Sequence, residues 1–266
     1  MGYFHAVAGS MLFMKDNFSQ QAVAYAQFRP QYPEALVQTL LAHTNRLNQA
    51  LDCGTGNGQL ALQLAPYFQT IVATDISDAQ LRNATPHPKI TYQQSPAETL
   101  AFPDQQFDLI TVAQALHWFD FDAFYPEVYR TLRDDGLFAA IGYALFCVDP
   151  AIDGILHQLY TDILGPYWDE ERRYVDHYYR DIPFPFDEIK TTRMYQHYEW
   201  TLPMLLGYLG TWSAVQHYRA QTGQDPIRLI EAPLRNSWGS AVTRTVSFPI
   251  LLRIGRKKKS GLPPRF

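Results

Sequence analysis

The sequence predicts an α/β fold, a mostly parallel sheet with helices on both faces. Three observations carry this. Short apolar stretches alternate with amphipathic ones from residue 49 to about residue 145. One apolar stretch, FDLITVAQA (107–115), has almost no polar interior, as expected of a strand covered on both faces. And LDCGTGNGQ (51–59) runs from an apolar residue and an acid into Gly54, Gly56 and Gly58, a turn between a strand and a helix.

The elements follow in order. Residues 16–30 hold a helical run ended by Pro30. YPEALVQTLLAH is a helix opened by Pro33, with Ala35, Leu36, Leu40 and Leu41 on one side. QALDC is a strand, and GQLALQLAPYF is a helix with Leu60, Leu64 and Phe68 spaced by four. TIVATDI is a strand, and SDAQLRNAT opens a helix capped by Ser77. KITYQQS and FDLITVAQA are strands, DAFYPEVYRTLRDDG is a helix, and LFAAIGYALF is a strand. Such alternation implies right-handed crossovers between parallel strands. After Asp149 the alternation stops. Residues from about 150 to 190 are dense in aromatic and charged side chains and predict a helical insertion over the ligand edge of the sheet. RMYQHYEWT reads as a strand, LPMLLGYLGTWSAVQHYRAQTG as one long helix despite Gly207 and Gly210, and TRTVSFPILLRIGR as the last strand. These late strands close the sheet edge, one of them antiparallel.

Composition narrows the function. With 266 residues, 47% of them hydrophobic, the chain suits a single domain, residues 15–266, behind a loose extension of residues 1–14. A net charge of −4 argues against a protein built on nucleic-acid phosphate contacts, and the basic end, RIGRKKKSGLPPRF, reads as a solvated tail. The mildly apolar start is too short for a membrane span and lacks a basic leader region. Two cysteines, Cys53 and Cys147, make no disulfide framework and fit a reducing cytoplasm. The eight histidines show no metal-binding spacing, so no metal is expected.

A G-x-G-x-G turn alone marks either a ligand resting on bare backbone or a flexible loop. Its context decides here. Gln59 stands where the dinucleotide fingerprint needs its third glycine, and no P-loop lysine follows. Asp75 lies 23 residues after Asp52, at the end of the next strand, where a carboxylate accepts two hydrogen bonds from a ribose diol. Asp52 ends the first strand, where it favours a ligand ammonium directly or through water. Together these describe a nucleoside site without phosphates.

The stretches LDCGTGNGQ, VATDIS, QSPAETLAFPDQQFDLITVAQALHWFD and LRDDGLFAAIGY resemble, in order and spacing, motifs one to five of the class I S-adenosylmethionine-dependent methyltransferases. The later stretches YLGTWSAVQHY and VSFPILLRIGR are similar to a small-molecule subgroup that includes trans-aconitate methyltransferase-like proteins. The resemblance implies a Rossmann-like, seven-stranded sheet whose last strand is antiparallel. It implies S-adenosylmethionine as cofactor, S-adenosylhomocysteine as product, and methyl transfer to a small-molecule acceptor, a carboxylate among the options. It also implies a cofactor lid over residues 15–45, in which Arg29 pairs with the methionine carboxylate or makes a surface salt bridge, and Tyr25 shields the methyl donor or simply packs. Gly54, Gly56 and Gly58 would line the methionine part and the ribose. Asp75 would hold the ribose hydroxyls, with Ile76 on the adenine and Ala97 and Glu98 beside it. Gln114 and Ala115 would lie beneath the methyl donor. Many relatives carry an acid where Ser95 stands, so backbone near Ser95–Ala97, or Glu98, takes over its contact with the adenine amino group.

For the chemistry, His117 in QALHWFD reads either as a general base or orienting donor for the acceptor, or as a histidine packed beside Trp118. A carboxylate acceptor needs no base. In the insertion, Trp168, Arg172 and Tyr174, with Trp118, form an aromatic and basic lining for a small acceptor, or a cap that packs its own rings. The other readings are a non-catalytic cofactor-binding module, a nicotinamide-dependent oxidoreductase, which the missing glycine disfavours, and an RNA or protein methyltransferase. Methyltransferases of base amino groups carry an Asn/Asp-Pro-Pro-aromatic stretch after the fourth strand, where this chain has Gln114-Ala115-Leu116-His117. No nucleic-acid or membrane partner is expected, and the assembly is a monomer or a homodimer.

Overall fold

A computed structural model of the chain describes residues 30–257. Tyr25 and Arg29 lie outside the described residues, as do residues 15–29 of the expected lid. The chain enters at helix α1 (Glu34–His43), behind Pro33, and turns into strand β1 (Gln49–Cys53). There follow helix α2 (Gln59–Leu64), β2 (Thr70–Asp75), α3 (Asp78–Arg82), β3 (Ile90–Gln94) and β4 (Phe107–Ala113). A 3-10 turn (Leu116–Trp118) leads to α4 (Phe121–Thr131) and β5 (Leu132–Tyr143). Ser77 caps α3 as its sequence position predicts, accepting from the Gln80 N–H at 3.4 Å.

Strands β1, β2, β3, β4 and β5 pair in parallel. The last strand, β8 (Arg244–Arg256), pairs antiparallel with β5. Beyond it lie β6 (Asp187–Ile189) and β7 (Met194–Trp200), each antiparallel to a different half of β8. The order is β3-β2-β1-β4-β5-β8-β6, with β7 also on β8, so the sheet has eight strands rather than seven among the described residues. The short β6 sits in a stretch rich in proline and phenylalanine that carries no strand periodicity, and only the length of β8 offers it a partner. The chain reverses direction across the sheet between β1 and β4. Ligands of open α/β sheets bind in the crevice outside the carboxyl ends of such a pair.

The two faces carry separate cores. On β5 the side chains of Leu137, Ala139, Ile141 and Tyr143 enter one core with Leu36, Leu60 and Trp238. Those of Phe138 and Ala140 enter the other with Phe124, Tyr125, Tyr179 and Phe186. This is the two-residue period of a strand buried on both sides.

Three boundaries differ from the sequence expectation. Helix α4 ends at Thr131, and the polar residues Arg133 to Asp135 already belong to β5, where Phe107 pairs with Leu132. The expected long helix is two, α7 (Leu202–Leu209) and α8 (Ser213–Thr222), because the chain turns extended at Trp212. Helix α9 (Ile227–Trp238) contains Pro233, the reason its pattern does not read as a helix. The insertion after Asp149 is helical as expected, with α5 (Pro150–His157), a π-turn (Gln158–Ile163) and α6 (Arg172–Asp176). Among the described residues no helix is long and apolar enough to cross a membrane.

Candidate active site

A cavity of about 640 Å³ opens at the carboxyl ends of β1, β2, β4 and β5. Its floor is the glycine turn. Gly54 has φ +68°, and a Cβ there would stand 2.6 Å from the Cβ of Ala115, on the turn after β4. Only glycine lets the two turns close on each other while keeping backbone at the cavity. Gly56 lines the cavity as well. Gly58 does not. It opens α2 at φ +84°, where the Tyr92 hydroxyl would overlap a Cβ, so its role is to pack helix against strand.

Two carboxylates flank the turn. Asp52 is almost wholly buried and accepts from the Thr55 hydroxyl at 2.5 Å and the Thr111 hydroxyl at 2.7 Å. Burial pushes its carboxyl from an ordinary 3.8 up to about 6, the nearby Asp75 charge adds to this, and the two hydroxyls oppose it. Asp75 ends β2. One of its oxygens accepts from the Gly56 N–H and the other from the Ser77 N–H, each at 2.8 Å. These bonds fix the carboxylate at the cavity wall. Beside it Ile76, a large apolar side chain, stays 40% exposed, which is unusual for a residue inside a cleft.

Ala97 and Glu98 line the next part of the wall. Glu98 accepts from the Asp120 N–H at 3.2 Å through one oxygen, while its other oxygen is buried with no hydrogen-bond partner. A buried carboxylate oxygen left so is costly and marks a place for a donor. Gln114, at the end of β4, holds φ +56°, and its amide donates to the Tyr143 carbonyl at 3.1 Å. A side chain in this left-handed region costs about 1–2 kcal/mol, and such strain clusters at functional sites. Gln114, Ala115 and Trp118 all face the cavity.

The remaining expected residues stand apart from it. His117 is buried outside the lining, its Nδ1 3.0 Å from the Tyr179 hydroxyl and its ring 4.9 Å from that of Trp118. Trp168 donates to the Tyr160 carbonyl at 3.0 Å. Arg172 donates to the Tyr160 hydroxyl at 2.7 Å and lies over the Trp168 ring at 4.9 Å. Tyr174 packs edge-on against Phe121. The structure thus gathers Trp168, Arg172 and Tyr160 into the cap's own packing rather than at the cavity. From the insertion it is Glu171 that reaches the lining. Sequence reasoning also missed Tyr32, Gln80, Phe119 and Tyr143. Tyr143 carries a usable signal, since it ends the strand beside the reversal point. Burial drives the Cys53 thiol far above its ordinary value, so this cysteine is packing, not chemistry.

Among the described residues no Lys, Arg or His lines the cavity. Bare backbone, a diol-sized carboxylate, an apolar ledge and an orphan acceptor suit a phosphate-free nucleoside with positive charge near Asp52. A family model described as a methyltransferase domain matches residues 51–140. A protein of Dictyostelium discoideum named as a methyltransferase is 30% identical over 251 residues, 91% of this chain and 95% of that one. A solved structure from Anaeromyxobacter dehalogenans, described as a type II methyltransferase, is 42% identical, covers 86% of this chain and 98% of that chain, and has a TM-score of 0.80. A malonyl-[acyl-carrier protein] O-methyltransferase of Geobacter sulfurreducens is 32% identical over 130 residues, 46% of this chain and 48% of that protein. With glycine turn, sheet and full-length relatives in agreement, the chain belongs to the class I S-adenosylmethionine-dependent methyltransferases.

Proposed function

We propose that the chain transfers a methyl group from S-adenosylmethionine to a small-molecule acceptor, a carboxylate, by in-line displacement. The observation that carries this is the Gly54–Ala115 cradle, with Asp75 on one side and Gln114 on the other. When bound, S-adenosylmethionine supplies a methyl on a positive sulfur, an electrophile with a neutral leaving group. The chain then has to hold donor and acceptor in line and keep water out.

In this reading Gly54 and Gly56 receive the methionine part and the ribose, and Gly58 shapes the turn. Asp52 faces the ammonium group. Asp75 accepts the ribose hydroxyls, for which a carboxylate has about four acceptor positions. Ile76 and Ala97 sandwich the adenine, and the orphan oxygen of Glu98 takes its amino group, the role an acid at position 95 plays in relatives. Gln114 and Ala115 lie under the methyl, and Trp118 and Tyr143 wall the acceptor. Tyr25 and Arg29 belong to the proposal on sequence alone, as the lid over the methionine carboxylate, and the insertion of residues 150–190 acts as a substrate cap.

The burial of His117 away from the cavity favours an acceptor that needs no base. A carboxylate is such an acceptor, being ionised at neutral pH. The O-methyltransferase of Geobacter sulfurreducens, matched over 46% of this chain, points the same way. The trans-aconitate methyltransferase-like subgroup is therefore the one we assign. Two free thiols fit a cytoplasmic protein.

The test is direct. The purified chain, given S-adenosylmethionine and a panel of small acids, should form S-adenosylhomocysteine and an ester heavier by one methyl. Binding of S-adenosylhomocysteine without turnover of any acid, while small amines are methylated, would sink the carboxylate assignment. Binding with no turnover of any acceptor would leave a cofactor-binding module.

A further inference from the structure

Tyr178 and Tyr179, just past the end of α6, are consecutive residues in the left-handed region, at φ 59° and 58°. Glycine usually takes such positions after a helix, because a Cβ crowds the carbonyl there. The strained turn sends one ring out and the next one in. Tyr178 is exposed, whereas Tyr179 is wholly buried. The Tyr179 N–H donates to the Tyr174 carbonyl at 2.7 Å. Its carbonyl, like that of Ile182, accepts from Arg253 of β8 at 2.8 Å, and Glu188 of β6 holds the same guanidinium. The residue is thus anchored by the cap and by the sheet edge.

What it reaches lies beside the cavity. Its hydroxyl stands 3.0 Å from His117 Nδ1. Its ring lies under β5 at Gly142, where a Cβ would come within 3.2 Å of the phenol oxygen. His117 precedes Trp118, and Gly142 precedes Tyr143, whose carbonyl accepts from Gln114. Trp118, Tyr143 and Gln114 line the cavity where the acceptor was assigned above. Packing alone would be served by phenylalanine. A hydroxyl aimed at a buried imidazole does more, because it selects the ring's tautomer and orientation.

We propose that Tyr179 is a positioning residue for the acceptor wall: its hydroxyl on His117 and its ring under Gly142 hold Trp118 and Tyr143 in place, coupling the cap to that wall. The proposal rests on the methyl-transfer reading of the same cavity and goes beyond it. The test uses the full chain, with S-adenosylhomocysteine as the probe of the donor half. In Tyr179→Phe the His117 ring nitrogen resonances should move to a different tautomer mixture. Amides of residues 114–119 and 142–145 should exchange hydrogen faster by about fivefold, with residues 54–58 unchanged. Affinity for S-adenosylhomocysteine should stay within about twofold. Gly142→Ala, whose Cβ would press on the same phenol from the β5 side at 3.2 Å from its oxygen, should give the same exchange pattern and serves if the first variant does not fold. Unchanged His117 resonances and exchange in the folded variant would overturn the proposal alone. So would a tenfold loss of S-adenosylhomocysteine affinity, which would make Tyr179 part of the donor half. A wild-type chain that fails to bind S-adenosylhomocysteine would overturn the underlying reading as well.

Discussion

The glycine turn of residues 54–58 and the helical cap of residues 150–176 face the same cleft and are built on opposite principles. The turn keeps its tension. It has left-handed glycines, a buried Asp52 held up at about 6, and an orphan oxygen on Glu98 across the cavity. Around Arg172 the cap satisfies its own groups. Arg172 lies between Tyr160 and Trp168 and pairs with Asp176, and Trp168 meets Trp212. The difference teaches where binding energy can be released. A ligand entering at the turn relieves unfavourable groups, whereas one entering against the cap's rings would have to disrupt satisfied ones.

This contrast can be broken in stages. The largest effect is expected for Gly54→Ala, which forces a Cβ onto Ala115 in a left-handed backbone. It should destabilise the chain by about 2–3 kcal/mol, as overpacking and backbone strain do together, and abolish S-adenosylhomocysteine binding. Thermal unfolding and calorimetry check both. Next comes Asp75→Ala, expected to weaken that binding by about 1.5–3 kcal/mol, the range for hydrogen bonds to a charged group. Unchanged affinity would remove the ribose assignment.

Asp52 gives a pH signature. Its pKa in the ligand-free fold is about 6, and a ligand ammonium would lower it. The bound state then holds fewer protons, so affinity for S-adenosylhomocysteine should fall as pH drops through about 6, and Asp52→Asn should flatten the profile. The same variant tests stability. A carboxyl raised on folding costs nothing below its unfolded pKa of 3.8, and its full cost, about 3 kcal/mol, is reached above about 6. Ligand-free Asp52→Asn should therefore melt higher at neutral pH, by about 1–2 kcal/mol once a weakened threonine bond is allowed for. The smallest effect on the cavity is expected from Arg172→Ala. Loss of its stacking should cost about 1–2 kcal/mol of stability and leave S-adenosylhomocysteine affinity unchanged. A matching loss of affinity would return Arg172 to the site.

The same contrast explains what was legible beforehand. Glycine spacing, the acid ending the second strand and the Ser77 cap are local signals, and each element carries its own chemistry to the cavity. Gln114 and Ala115 follow from being where β4 stops. The cap offers no such signal. Its segment is aromatic and charged all round, so nothing in the residue order says that Glu171 faces the cleft while Arg172 turns to Tyr160. Tyr32 reaches the lining from far along the chain and shows no motif. Helix α9 hides behind Pro233, and the start of β5 behind polar residues.

The thirteen-residue β8 fastens β5 on one side and both β6 and β7 on the other. On a ribosome the nascent chain therefore holds a parallel sheet with a bare edge until residues 244–256 emerge, and that edge is open to stray pairing meanwhile. Completion waits for contacts as remote in sequence as Leu137 with Arg256, which makes assembly slow. A chain clipped before residue 244 should accumulate as aggregate rather than as a weakened enzyme.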